Sequence, residues 1–267
     1  MRYLPTSRLT PGMALGQDIY DGAGRLLLGR HILLTEEQIS NLEFLGFPGV
    51  YVDDEFSRGI EIQQIVSPEV RRQALKIVYD LFHMDMRKQE PSEAEFKLRK
   101  TVESVVDDVI CNGDIMCNIM DIKSYDDYIY YHSIHVGILS VVVGARLGLP
   151  HDKLCQLAAA ALLHDIGKRF IDHDIVRGGK AHRSEEEQEV YRSHPKIGAE
   201  YLRETCRFSA DVYEGIMEHH ECYNGEGYPL GKKGAEIHLF ARIIRIADCY
   251  DAKTSAFPAQ KSLSPSE

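Results

Sequence analysis

Apolar positions recur with two different periods along this chain, and the change of period divides it. Over residues 1–58, short apolar runs are interrupted by Gly12, Gly16, Gly22, Gly24, Gly29, Gly46 and Gly49. Asp21-Gly22, with Gly24 close behind, separates the runs 17–20 and 25–28, a spacing that predicts a β-hairpin. Thr35 ahead of Glu36, Glu37 and Gln38 predicts a capped helix start. Ile39, Leu42 and Leu45 lie on one face of that helix, and Gly46 is its expected end. Val50-Tyr51-Val52 then reads as a closing strand, so a small α/β, β-rich module is expected over 1–58.

Beyond it the period becomes helical. Ser67 and Pro68 serve as N-cap and N1 of a helix carrying Val70, Ala74, Ile77, Val78, Leu81 and Phe82, to about residue 86. A polar break over 88–92, containing Pro91, precedes a second helix at 93–110 with Phe96, Val102, Val105, Val106 and Val109. Residues 59–100 thus read as a helical connector, of a kind that transmits or dimerises. A third helix, 125–147, carries Ile129, His132, His135, Val136, Leu139, Val142 and Val143, and Leu149-Pro150 ends it. His132 and His135 share a face; His135 reads as a hydrogen-bonded core histidine.

Asp152 starts the next helix, which runs through Ala158-Ala159-Ala160-Ala161-Leu162-Leu163 to His164-Asp165, with Gly167 as its stop. The dyad is expected in the last turn or just past it. Residues 168–183 hold Lys168, Arg169, Arg177, Lys180 and Arg183 against Asp172 and Asp174, a locally basic loop. Glu185 begins another helix, and Pro195 at N1 of the following one leaves His194 at its N-cap. His219 and His220 would diverge by about 100° on a regular helix. Two ligands to one ion require the helix to end there, and Asn224-Gly225-Glu226-Gly227 supplies a loop signal. A last helix over 239–252 puts Asp248 and Asp251 on one face.

Composition narrows the function classes. The chain has 267 residues, 44% of them apolar, enough for a sizeable core. Its 31 basic and 41 acidic residues give a net charge of −10, which argues against broad binding to nucleic acid or anionic membranes. An anionic substrate would need a local positive centre, and metal ions provide one. Six cysteines at 111, 117, 155, 206, 222 and 249 form no CxxC pair and read as buried, reduced thiols. The opening residues lack a signal peptide's apolar core, and no window of about 18 uninterrupted apolar residues occurs; a cytoplasmic protein is expected.

The chemistry gathers on His164-Asp165. A neutral imidazole beside a carboxylate suits borderline divalent metals, and the carboxylate can bridge two of them. With His132-Ser133 upstream, and His194-Pro195, His219-His220-Glu221, Gly227-Tyr228-Pro229 and Ala247-Asp248-Cys249-Tyr250-Asp251 downstream, the chain resembles the HD-GYP family of the HD phosphohydrolase superfamily. The resemblance covers roughly residues 100–267 and implies a mainly α protein, with an all-α helical domain over 101–267. The β-rich module is of a kind that often precedes such domains.

The resemblance implies a ligand set as well. His132, His164, Asp165 and Asp248 would hold one metal; Asp165, His194, His219 and His220 would hold the other. Five imidazoles and two carboxylates are too many for one tetrahedral zinc and suit two six-coordinate ions, with iron or manganese favoured by the mixed nitrogen and oxygen donors. Two such ions can hold phosphodiester oxygens and lower the pKa of a shared water. Lys168 could bind a nonbridging phosphate oxygen or assist the departing alkoxide, and Arg183 and Tyr228 are further substrate-binding candidates. The implied substrate is cyclic di-GMP, opened to pGpG and cut on to GMP, in bacterial second-messenger signalling. The GYP loop and the N-terminal module are the candidate surfaces for protein partners, and the connector for a homodimer.

Departures from the family pattern keep a second reading open, a metal-binding domain with little or no activity that serves as a signalling module. Tyr128 stands where members with a third metal carry Glu, which favours two metals and leaves Asp251 as a third-metal candidate. Asn224 replaces an Asp, and Asp172-His173 stands where Ile-Pro-Asp is usual. Phe257 and Gln260 occupy positions where arginines would grip phosphate or guanine, and the chain stops at Glu267, where such domains usually continue. A third reading is a general HD phosphohydrolase acting on linear nucleotides, which the GYP segment disfavours.

Overall fold

The computed structural model describes residues 1–60, 63–84, 91–113, 127–178 and 183–254. Phe257, Gln260 and the end of the chain lie outside these residues. The N-terminal module contains β1 (Arg2–Pro5), β2 (Ala14–Leu15), β3 (Ile19–Tyr20), β4 (Leu26–Leu28), α1 (Glu36–Phe44) and β5 (Gly49–Asp53). The expected hairpin is β3 against β4, and α1 starts with a reciprocal cap between Thr35 and Gln38. β5 is the centre of a three-stranded antiparallel sheet, pairing Tyr51 with Tyr3 on β1 and Val52 with Leu15 on β2. β1 and β2 carry no readable period because they are four and two residues long. Leu45 is not on the buried face of α1: the helix ends at Phe44, and Leu45 is left 42% exposed.

The helical part comprises α2 (Pro68–His83), α3 (Pro91–Cys111), α4 (Tyr128–Arg146), α5 (His151–Leu162), α6 (His173–Arg177), α7 (Glu185–Arg192), α8 (His194–Thr205), α9 (Ala210–Met217) and α10 (Leu239–Thr254). One apolar cluster runs from Ile65 on the approach to α2 through Val109 on α3 to Ala247 on α10. The boundary expected at residue 100 therefore falls inside α3, whose Leu98, Val102, Val105 and Val106 are buried in that shared core. α2 and α3 belong to the same packing unit as the helices that follow.

α4 lies at the centre, against α5 and α10. Gly137 and Gly144 allow α5 close: a Cβ at either would come within 2.8 Å of Leu162 or Leu157. By length and composition α4 could cross a membrane, with a mean hydropathy of 1.3, but 61% of that window is buried among the other helices. Among the described cysteines only Cys206 is buried; Cys111 is exposed and Cys155, Cys222 and Cys249 are half-buried, all with free thiols.

Candidate metal centre

Three helix ends and the faces of two further helices converge. His164 and Asp165 come just after α5, whose last residue is Leu162, and a 3-10 turn over Ile166–Phe170 follows them. Gly167 works here as a contact rather than a stop. A Cβ on it would lie 2.0 Å from the His194 carbonyl oxygen, so only glycine lets this turn meet the start of α8. His194 is the first residue of α8, one position inside the expected N-cap. α9 ends at Met217, which frees His219 and His220 from helical divergence. His132 on α4 and Asp248 on α10 complete the set, and His132, His164, Asp165, His194 and His219 are all at most 3% exposed.

Three of these imidazoles are held in one tautomer by the backbone. Nδ1 of His164, His194 and His219 each lies 2.7 Å from the carbonyl oxygen three residues back, of Ala161, Tyr191 and Ile216. Nδ1 therefore carries the proton, and Nε2 presents a lone pair to the interior. Nε2 of His194 and of His219 are 3.3 Å apart, a repulsive pairing of lone pairs that a cation between them relieves. His132 is oriented by a carboxylate instead: its Nδ1 donates to Asp251 Oδ2 at 2.7 Å, and its Nε2 lies 3.2 Å from Asp248 Oδ1.

Asp165 divides its two oxygens between two groups. Oδ1 faces His194 Nε2 at 3.2 Å and His219 Nε2 at 3.8 Å; Oδ2 faces His164 Nε2 at 3.5 Å and His132 Nε2 at 4.0 Å. Ligand atoms of Asp165, His194, His219 and His220 fall within one metal-sized cluster, and those of His132, His164 and Asp165 within another. His164 Nε2, Asp165 Oδ1 and His220 Nε2 are buried without a hydrogen-bond partner. Orphaned donor atoms of that kind are costly unless a metal takes them, so the residues fit a pair of divalent cations sharing Asp165.

Burial and neighbouring charges act differently on the individual groups. Burial, reinforced by the neighbouring imidazoles, pushes His219 and His220 well below the ordinary imidazole value. Burial also lowers His164, against the pull of Asp165. His132 differs: burial opposes its charge, but Asp248 and Asp251 outweigh it and raise the group to about 9. Burial works against the Asp165 carboxylate too, yet Lys168, His164 and His194 hold it well below the usual carboxylate range.

Lys168 donates from Nζ to Asp165 Oδ2 at 2.5 Å and stays protonated, because Asp165 and Tyr191 outweigh its burial. Tyr228 stacks on His220, with ring centroids 4.8 Å apart. Arg183 reaches the cluster through Tyr191, whose ring lies beside His194 and Lys168. Its Nε and Nη2 donate to the carbonyls of Ile175 and Val176, and its guanidinium lies 3.6 Å from the centre of the Tyr191 ring. Asp251 accepts from His132 Nδ1 at one oxygen and faces His135 Nδ1 at 2.8 Å with the other, so it orients two histidines. Where a third-metal carboxylate would stand, the Tyr128 ring stacks on His132.

Glu218 went unread in the sequence, and Glu221 was read only as part of the His219-His220-Glu221 motif, without a role; both are buried. Glu221 accepts the backbone N–H groups of Leu230, Gly231 and Lys232, at 2.6, 3.1 and 3.1 Å. Glu218 accepts the N–H of His238 at 2.8 Å and the ammonium of Lys232. Together they fold the loop after His220 back onto the site. The signal was an acidic residue on either side of the His219-His220 pair. In the same loop Asn224 Oδ1 accepts from Glu226 N at 3.1 Å, a turn contact that an Asp would also make.

A family model described as HD domain matches residues 117–267. Over 167 residues the chain is 33% identical to the cyclic di-GMP phosphodiesterase PA4108 of Pseudomonas aeruginosa, covering 62% of this chain and 40% of that protein. Over 163 residues it is 33% identical to the 3'3'-cGAMP-specific phosphodiesterase 1 of Vibrio cholerae, covering 61% and 37%. The chain thus spans about two-fifths of the length of these relatives. Among solved structures, Bd1817, an HDG"Y"P protein from Bdellovibrio bacteriovorus, has the same fold. Its TM-score is 0.59 at 20% identity, over 94% of this chain and 87% of that one.

Proposed function

The chain belongs to the HD domain family, and from that premise we propose that it is a cytoplasmic, metal-dependent phosphodiesterase that opens cyclic di-GMP to pGpG, with GMP as the further product. The observation that carries the reading is the division of Asp165, one oxygen toward His132 and His164, the other toward His194 and His219. His132, His164, Asp165 and Asp248 would hold one divalent ion; Asp165, His194, His219 and His220 would hold a second, iron or manganese in each case. When bound, two such ions would supply Lewis acidity to a phosphodiester and lower the pKa of water.

The protein's own groups do the rest. The three backbone carbonyls fix His164, His194 and His219, so their Nε2 lone pairs point inward before any ion arrives, while Asp251 orients the His132 ring. Burial excludes competing solvent and strengthens each charge interaction. Lys168, charged and beside the bridging carboxylate, is placed to neutralise a nonbridging phosphate oxygen or the departing alkoxide. The Tyr228 ring offers a flat apolar face next to His220 for a base. The names of relatives support a cyclic dinucleotide substrate; the non-hydrolysing reading rested on Phe257, Gln260 and the C-terminal end, which lie outside the described residues.

The test is a substrate panel of cyclic di-GMP, 3'3'-cGAMP and linear pGpG, given to manganese-loaded protein with products separated by chromatography. Cleavage of a cyclic dinucleotide ahead of pGpG is the expected result. Turnover of pGpG alone would replace the proposal with a linear-nucleotide phosphohydrolase.

A further inference from the structure

Arg245 is a cation at the metal centre that the ligand set does not use. It sits one turn before Asp248 on α10, with its side chain 34% exposed. Its Nη1 lies 3.3 Å from His220 Nδ1 and 3.5 Å from Asp248 Oδ2, and its Nη2 lies 3.9 Å from Cys222 Sγ. These are long contacts for a group with five donors. They leave most of its donor capacity unused, since His220 offers one ring nitrogen, Asp248 one oxygen, and the cysteine sulfur is only a weak acceptor.

A half-exposed guanidinium is thus loosely held at the rim of the cluster, beside the stacked rings of His220 and Tyr228. Resting on the two-metal reading above, we propose that Arg245 is a substrate-binding residue that exchanges these long contacts for a nonbridging oxygen of the substrate phosphate. Guanidinium and phosphate match in charge and in planar, two-point geometry.

The experiment compares wild type with Arg245→Ala and Arg245→Lys, each loaded with manganese and titrated calorimetrically with GMP as a phosphomonoester probe. Manganese content is measured on the same samples. The expected result is two ions in all three proteins, with GMP affinity at least about tenfold weaker in Arg245→Ala and intermediate in Arg245→Lys. Equal affinity in Arg245→Ala and wild type would overturn the assignment. So would loss of manganese from the variants, which would make Arg245 a support for the ligands, or failure of wild type to bind GMP. Cyclic di-GMP turnover is scored separately. If wild type opens no cyclic dinucleotide while GMP binding still depends on Arg245, the proposed reaction falls and the anion site stands.

Discussion

His164, His194 and His219 owe their inward-facing Nε2 atoms to carbonyls three residues behind them, and that device decides what each imidazole can do. Asp165 is the residue on which both groups depend. Asp165→Ala should therefore leave the protein without bound metal and without turnover; elemental analysis showing two retained ions would mean that the bridge lies elsewhere. Lys168 is different in kind, since it touches Asp165 but offers no lone pair while charged. Lys168→Ala should keep its metals and lose roughly 10²–10³-fold in turnover, the scale for a preorganised donor to a developing charge. Unchanged turnover would remove Lys168 from the chemistry. At this scale the residues that the fold gathers were named in advance, through the resemblance carried by His164-Asp165 and the motifs around it. Their tautomers were not, because the carbonyls that set them belong to the backbone just past a helix end. Asp251 shows the same limit: spacing put it on the face of Asp248, but only the approach of α4 reveals that both oxygens meet imidazoles.

Helix ends do the positioning. α5, α9 and the start of α8 each terminate at a ligand, so the site is assembled where the regular backbone stops. The sequence showed where helices run through apolar spacing, and it showed the break after His220 through its loop residues. It did not show which ends meet. Gly167 illustrates the difference: read along the chain it is a helix stop, whereas in the fold it is the point where the turn after Asp165 touches α8. Gly167→Ala would drive a methyl group into the His194 carbonyl, and helix and turn would have to part. A loss of about 1–3 kcal/mol in unfolding free energy is expected, together with weaker metal binding through a displaced His194. Denaturant melts with and without manganese would show both; a variant as stable and as tightly metallated as wild type would contradict the close-contact account.

For the whole molecule, apolar periodicity gave the helical class and the β-rich start, while the joints between them were hidden. α2 and α3 read as a connector because each has a single apolar face, but in the fold those faces complete the core around α4 and α5. The N-terminal module touches this body through Tyr131, whose hydroxyl donates to the Tyr20 carbonyl at 2.9 Å. The central claim is that the body assembles one site for two metals bridged by Asp165, and that both are needed to open a cyclic dinucleotide. Metal-stripped protein, titrated with manganese in equivalents per chain while cyclic di-GMP turnover is followed, tests it most directly. The account predicts little product up to the first equivalent and a rise to a plateau as the second binds. Full turnover with one equivalent, or none with two ions shown to be bound, would contradict it.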